Sequence, residues 1–118
     1  MAMHTDLGIY KVAFDLLSFS TDITRNIPRD LKQGLAAEVR RECIAVLMLI
    51  ARANAAKDKA VHLVDLLERV QVVEFLLRLF KEKRFISIPQ HAAAIELTAS
   101  IGKQANAWKR HTATAPAT

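Results

Sequence analysis

Four cations lie close together in the stretch from Arg78 to Gln90, RLFKEKRFISIPQ. Arg78, Lys81 and Arg84 are spaced by three residues, so a helix would place them near one another, and Lys83 extends the group. Arginine and lysine side chains grouped in this way bind phosphates through charge and hydrogen bonds. The stretch therefore predicts a surface that binds a polyanion.

The positive charge of the chain is unevenly distributed. Residues 78–118 hold seven basic and two acidic side chains, whereas residues 1–77 hold ten of each, so the whole excess of +5 lies in the last third. This asymmetry suggests a nucleic acid or another acidic partner. The alternative interpretation is structural, because cations at the end of a helix stabilise it by about 0.3–1 kcal/mol each whatever else they do.

Other basic residues extend or accompany this group. Those of the last helix are expected to form a second patch, or a stripe along the helical hairpin. Another basic group follows Ile27-Pro28, where Glu38 and Glu42 are interspersed, so local ion pairs are the first interpretation there and binding the second. The candidate nucleic-acid-binding and partner-binding residues are Arg29, Arg78, Lys81, Lys83, Arg84, Lys103, Lys109 and Arg110.

The sequence contains no convincing catalytic or metal-binding pattern. The histidines lack the spacing of metal ligands, no Glu-x-x-His motif occurs, and the three glycines are scattered rather than grouped in a phosphate-binding loop. Cys43 has no neighbouring histidine and lies in an apolar segment, which is typical of a core residue. We therefore expect a protein that is not an enzyme, without metal, cofactor or small-molecule substrate.

Composition predicts one helical domain. The chain has 118 residues, 52% of them hydrophobic, with only three glycines and three prolines. The longest apolar run, Cys43 to Ala51, is too short to cross a membrane, which takes about 18 residues or more. The first residues, MAMHTDLG, do not resemble a secretory signal. With a single cysteine, these features predict a cytoplasmic protein.

Apolar periodicity divides the chain into four helices. The first is predicted from about Asp6 to Asn26, and the Ile27-Pro28 step ends it. The second begins between Asp30 and Leu35 and ends near Ala53, and Asp58 is a plausible N-cap for the helix that follows.

The third helix, from about Lys59 to Lys83, carries two sets of apolar residues. The first set alternates three- and four-residue steps, as in a packed bundle seam, and comprises Leu63, Leu66, Val70, Val73, Leu77 and Phe80. The second set lies outside that seam, and one core cannot cover both. We infer a homo-oligomer whose interface includes Val72, Phe75, Leu76 and Leu79.

The segment Ser87-Ile-Pro-Gln90 predicts the start of the fourth helix, because it contains a capping box and a proline in the first turn. Its apolar stripe ends at Trp108. The predicted architecture is an all-α, antiparallel up-down four-helix bundle over residues 1–111, followed by a flexible C-terminal tail over residues 112–118.

Several of these motifs, taken in order, resemble a known family. They are Ile27-Pro28-Arg29, FLLRLF from Phe75 to Phe80, Ile86-Ser-Ile-Pro-Gln90, Ile101-Gly102-Lys103 and the terminal Trp108. Together they are similar to the small four-helix bundle proteins that include ribosomal RNA intervening-sequence proteins and the accessory variability determinants of diversity-generating retroelements.

The resemblance implies a pentameric barrel of bundles with a basic surface. It also implies a non-catalytic accessory protein that binds the reverse transcriptase and the template RNA or cDNA during mutagenic retrohoming. Arg78 matches a basic position that serves partner binding, whereas Glu74 stands where a second arginine is expected. An intervening-sequence-type protein, or an adaptor whose basic corner binds an acidic protein, is the alternative.

Overall fold

A computed structural model describes residues 3–114 of the chain, and the side chains of residues 3–112. Within these residues the chain forms four long helices and no strand. A 3-10 turn at His4–Asp6 precedes helix α1 (Gly8–Ile23). A helical turn at Arg29–Leu31 and a π-helical turn at Lys32–Ala36 lead into α2 (Ala37–Ala55). Helix α3 covers Ala60–Glu82 and α4 covers Ile88–Thr114.

The four helices surround a single core. Helix α1 packs against α2 and α4, and α3 packs against the same two helices. The molecule measures 52 × 22 × 21 Å, so the bundle is elongated along its helices. Each helix presents one apolar stripe to the interior, which confirms the predicted all-α four-helix fold. The antiparallel order of the helices stays a prediction.

Helix α1 ends at Ile23, three residues before the predicted end near Asn26. The hydroxyl of Thr24 donates a 2.7 Å hydrogen bond to the carbonyl of Ser20. The N–H groups of Arg25 and Ile27 then bond to carbonyls three residues back, at Asp22 and Thr24. These tight turns, rather than Pro28 alone, end the helix because a side chain competes for its last carbonyls.

The corner between α2 and α3 differs from its prediction. The expected N-cap, Asp58, is wrong: Lys59 occupies that position, and no side chain caps the start of α3. The ammonium of Lys59 instead donates to the carbonyls of Ala53, Asn54 and Ala56 at 2.9, 3.1 and 3.0 Å. A lysine can do this because the last carbonyls of a helix lack intrahelical partners.

The start of α4 follows the sequence closely. The hydroxyl of Ser87 accepts a hydrogen bond from the N–H of Gln90 at 3.1 Å, and the Gln90 side-chain oxygen accepts one from the N–H of Ser87 at 2.8 Å. This reciprocal pair confirms the predicted capping box. Helix α4 continues to Thr114, so it includes the first residues of the predicted tail, and residues 115–118 lie outside the described part of the chain.

Helix α3 has one buried face and one exposed apolar face. All six residues of the predicted seam are buried, which confirms the packing assignment. On the other side, Phe75 is 66% exposed and Leu79 is 37% exposed, whereas Val72 and Leu76 are half-buried and Leu76 also packs against the core. No helix among residues 3–114 is both long and apolar enough to span a membrane.

Candidate nucleic-acid interface

The candidate interface is the corner between α3 and α4, and its backbone is unusual at Arg84. The N–H of Phe85 bonds to the carbonyl of Phe80 at 2.8 Å, and the N–H of Arg84 to that of Lys81 at 3.0 Å. The rings of Phe80 and Phe85 lie 6.4 Å apart. These contacts form a Schellman motif, in which the residue after the C-cap adopts a left-handed conformation.

Arg84 occupies that left-handed position with a φ of 61°. Glycine is the residue usually found there, because a Cβ atom makes the conformation unfavourable. It is the one residue with a positive φ in the described part of the chain. An exposed arginine thus stands where the backbone would be more stable with glycine, so its side chain needs an explanation other than the fold.

The cations of the corner point away from the packed core. Arg78, Lys83 and Arg84 are exposed, and their side chains make no ion pair or hydrogen bond with any residue from 3 to 112. Lys81 is half-buried, and its ammonium lies 3.8 Å from the Glu82 carboxylate. A pair at this distance, with one exposed partner, contributes little to stability, so the charges of this corner are available to a ligand.

His91 lies close to these cations, although its sequence position gave no sign of it. Burial and the nearby charges of Lys81 and Arg78 lower the pKa of the His91 imidazole, and Glu82 opposes them weakly. Its Nε2 atom is buried without a hydrogen-bond partner among the described residues. The turn between α3 and α4 folds the start of α4 back onto the end of α3, and this contact is not encoded in local spacing.

A surface pocket of about 750 Å³ lies beside the corner. It is lined by residues that include Asn26, Lys81, Glu82, Arg84, Phe85 and Ile88. Asn26 comes from the segment after α1, three residues before Arg29, so exposed Arg29 belongs to the same end of the bundle. Sequence reasoning missed Asn26 because its segment meets the corner only in the folded chain. It missed Ile88, although this residue lies in the stretch from Arg78 to Gln90, because spacing alone does not show that its side chain is exposed.

The remaining predicted cations are not part of this pocket. Lys103 and Lys109 line a groove of about 470 Å³ between α3 and α4, together with Glu68 and Glu74. Because both signs of charge meet in that groove, it is less suited to a polyanion than the corner. Arg110 is exposed near the end of α4. The sequence left open two patches or one stripe, and the structure separates a basic corner from a groove with charges of both signs.

In the basic group near the start of α2, which comprises Arg29, Lys32, Arg40 and Arg41, Arg41 is the one residue with an ion pair inside the described part of the chain. Arg41 pairs with Glu38 within one turn, and this hydrogen bond lowers the pKa of the Glu38 carboxyl. The prediction that Glu42 pairs within its own helix is wrong. The Glu42 side chain is buried, and its carboxylate accepts hydrogen bonds from the guanidinium of Arg69 of α3 at 3.2 and 3.3 Å. A pattern of charges within one helix cannot reveal this link between helices.

No group of three or more histidine, cysteine, aspartate or glutamate side chains in the described part of the chain is arranged to hold a metal ion. Cys43 is buried, as predicted, and burial raises the pKa of its thiol to about 11. A thiol with such a pKa is almost entirely protonated near neutral pH and is a poor nucleophile.

Comparison with known proteins agrees with the motifs of the sequence. Residues 9–112 match the bAvd-like family, named for the Bordetella accessory variability determinant. No individual curated protein matches the chain. The match covers nearly the whole length of the four helices, and it confirms the suspected family. This four-helix chain, with its basic corner and its exposed apolar face on α3, belongs to the bAvd-like family.

Proposed function

We propose that this protein is a non-catalytic, cytoplasmic accessory subunit of a diversity-generating retroelement. It assembles into an oligomer, which the family implies to be a pentamer, and binds the reverse transcriptase together with template RNA or cDNA in mutagenic retrohoming. Family membership supports the accessory role. The single observation that carries nucleic-acid binding is the group of exposed cations at the α3–α4 corner, which have no partner in the described part of the chain.

The corner suits a phosphate backbone because its cations lie in one short segment of the chain. Nothing in their arrangement indicates that they read the sequence of the bases. Contacts of this kind supply affinity and salt dependence rather than sequence specificity. Lys103, Lys109 and Arg110 would add to the field at a distance. Repetition of the corner by several copies of the chain would extend the cationic surface along a nucleic acid.

The exposed face of α3 supports oligomerisation. Phe75 and Leu79 are joined on the outer side by Val61, which is 63% exposed, and Val64, which is 46% exposed. Exposed apolar residues along one helix are typical of a surface covered by another protein. Phe75→Asp should therefore dissociate the oligomer and leave the fold intact; an unchanged mass in light scattering would contradict this interface.

Glu74 favours a second candidate function. Its carboxylate accepts a 2.8 Å hydrogen bond from the hydroxyl of Thr98 and stands one turn before Arg78, where a second arginine was expected. An acid there weakens the case for a basic contact with a polymerase. A ribosomal RNA intervening-sequence-type protein, or an adaptor that binds an acidic protein, is the alternative.

Competition separates these functions. The protein is immobilised and allowed to bind its partner from solution, and excess unrelated RNA or single-stranded DNA is then added. If the corner binds phosphates, the competitor displaces the partner, whereas an uncharged polymer at equal mass does not. A partner that remains bound in excess polynucleotide would favour the adaptor. Salt alone is a weaker test, because both kinds of contact weaken as ionic strength rises.

A further inference from the structure

The pocket beside the α3–α4 corner combines cationic and apolar walls. Lys81 and Arg84 supply positive charge to its lining, whereas Phe85 and the 74% exposed Ile88 supply apolar surface. Asn26 adds an amide that can both donate and accept hydrogen bonds. Nucleotides present the same combination, with a charged phosphate, a flat apolar face and a polar base edge.

The phosphate would have to be held by side chains at this corner. Pro89 has no N–H, and the N–H groups of Ser87, Gln90 and His91 are already bonded to Gln90, Ser87 and Ser87 respectively. The start of α4 therefore offers a phosphate little beyond the N–H of Ile88. Besides the Asn26 amide, Arg84 and Lys81 are the side-chain donors with a positive charge in the pocket, and Arg84 is the exposed one of the two.

The conformation of Arg84 indicates that its charge matters more than local stability. Glycine at this position would remove the unfavourable contact of Cβ with the backbone while keeping the Schellman hydrogen bonds. Because residues in unfavourable backbone conformations cluster at active sites and ligand-binding sites, the conformation of Arg84 supports a binding role.

From these contacts we propose that the corner pocket binds one unstacked nucleotide of a single-stranded nucleic acid. Its phosphate contacts Arg84 and Lys81, and its base lies on Ile88 and Phe85. This inference rests on the proposed nucleic-acid binding and narrows it to single strands, since a base held in a duplex cannot enter a pocket. Glu82 is the acidic side chain among those lining the pocket, and its negative charge would weaken phosphate binding without preventing it.

The test measures binding of fluorescent oligo(dT) and oligo(rU), and of a duplex of equal length, to the full chain by anisotropy. Wild type should prefer the single strands. Arg84→Gly should raise the melting temperature and weaken single-strand binding about tenfold or more, because it removes a charge-assisted hydrogen bond. Ile88→Gln should weaken it about fivefold through lost apolar contact. Glu82→Gln should strengthen it.

Two variants serve as matched controls. Arg52→Gln removes an exposed cation, and Met48→Gln removes a side chain that is 51% exposed. Arg52 precedes Ala53, whose carbonyl accepts a hydrogen bond from Lys59 at the start of α3. Arg52 therefore lies near one end of α3, and the α3–α4 corner lies at the other end, about 33 Å away along the helix. Both controls should bind single strands like wild type.

The outcomes separate the pocket from the proposed function. If wild type binds single strand and duplex equally, and Arg84→Gly and Ile88→Gln bind like wild type, the nucleotide pocket is wrong while general nucleic-acid binding stands. If wild type binds neither form, both proposals are wrong. A single-strand preference that Arg84→Gly and Ile88→Gln reduce, and that the two controls keep, supports the pocket.

Discussion

The two corners of α3 use their cations in opposite ways. At the corner with α2, the ammonium of Lys59 is tied to three carbonyls, so its charge completes the end of a helix. At the corner with α4, the chain is closed by the Schellman bonds, the Phe80–Phe85 contact and the capping box, none of which uses a cation. The charges of Arg78, Lys83 and Arg84 remain directed at solvent.

This difference distinguishes a structural cation from one that is available for binding. Near a helix end, either role is expected from sequence alone, because the helix dipole favours positive charge there. The contacts decide between them: the side chain of Lys59 has three acceptors, whereas those of the corner with α4 have none among residues 3–112 apart from the long Lys81–Glu82 pair. Removing the charge of Lys59 should therefore lower the free energy of unfolding, whereas removing the charges at the corner with α4 should weaken nucleic-acid binding.

The largest effect on stability is expected at the apolar contact that closes the corner with α4. Phe80 is fully buried, so Phe80→Ala should lower the free energy of unfolding by about 3–5 kcal/mol in urea denaturation, through lost burial and a cavity. Phe75→Ala, on the exposed face of the same helix, is the control; measured on the monomer, at a protein concentration too low for the oligomer to form, it should change the free energy of unfolding by about 0.5 kcal/mol or less. Equal losses would contradict the assignment of the two faces.

Lys59→Met should come next, with a loss of about 1–3 kcal/mol, because three part-buried carbonyls lose their donor while the aliphatic stem is kept. Nucleic-acid binding should not change. Lys83→Met removes the same charge from the other corner, and its free energy of unfolding should stay within about 0.5 kcal/mol of wild type. If Lys83→Met were the more destabilising change, the comparison of the corners would be reversed.

Ser87→Ala should cost about 1 kcal/mol, because it removes the hydroxyl that caps α4. Ser18→Ala offers a control of opposite sign, since Ser18 is an exposed residue inside α1 and alanine favours helix interiors. Thermal unfolding by circular dichroism would measure both. A loss at Ser18 that matched the loss at Ser87 would show that the capping hydroxyl has no special role.

The smallest effect concerns His91 and pH. Because burial and then Lys81 and Arg78 lower its pKa in the folded chain, the unfolded chain takes up a proton first as pH falls through the ordinary value of 6.5. Stability should therefore decrease from that pH toward the lower, folded pKa. The free energy of unfolding is measured by urea denaturation at one pH above 6.5 and one below it. His91→Gln should make the loss of stability between the two smaller, and a loss as large as that of wild type would exclude His91 as its source.

Much of the fold could be predicted because its signals are local. The seam from Leu63 to Phe80 follows from helical periodicity, and Ser87 and Gln90 form a capping box at their expected spacing. The end of α1 was misplaced, because the hydroxyl of Thr24 bonds back to its own helix, which apolar periodicity does not report. The role of Lys59 was missed because an aspartate beside it matched the usual N-cap preference.

The candidate site was predictable in its cations and not in their surroundings. Arg78 and Arg84 stand out by spacing and charge, but the pocket with Asn26 and Ile88 forms only when α1, α3 and α4 meet. The Glu42–Arg69 pair and the position of His91 are tertiary for the same reason. The separation of Lys103 and Lys109 from the corner depends on Glu68 and Glu74, which are distant in sequence.

The most direct test replaces Arg78 and Arg84 with glutamate in one variant and measures RNA retention and thermal unfolding on the same sample. If the corner serves a polyanion and not the fold, retention is lost while the helical content and the melting temperature stay close to those of wild type. Undiminished retention would show that the nucleic acid binds elsewhere. A variant that retained RNA but unfolded at a lower temperature would assign these two charges to the fold, as Lys59 is assigned at the other corner.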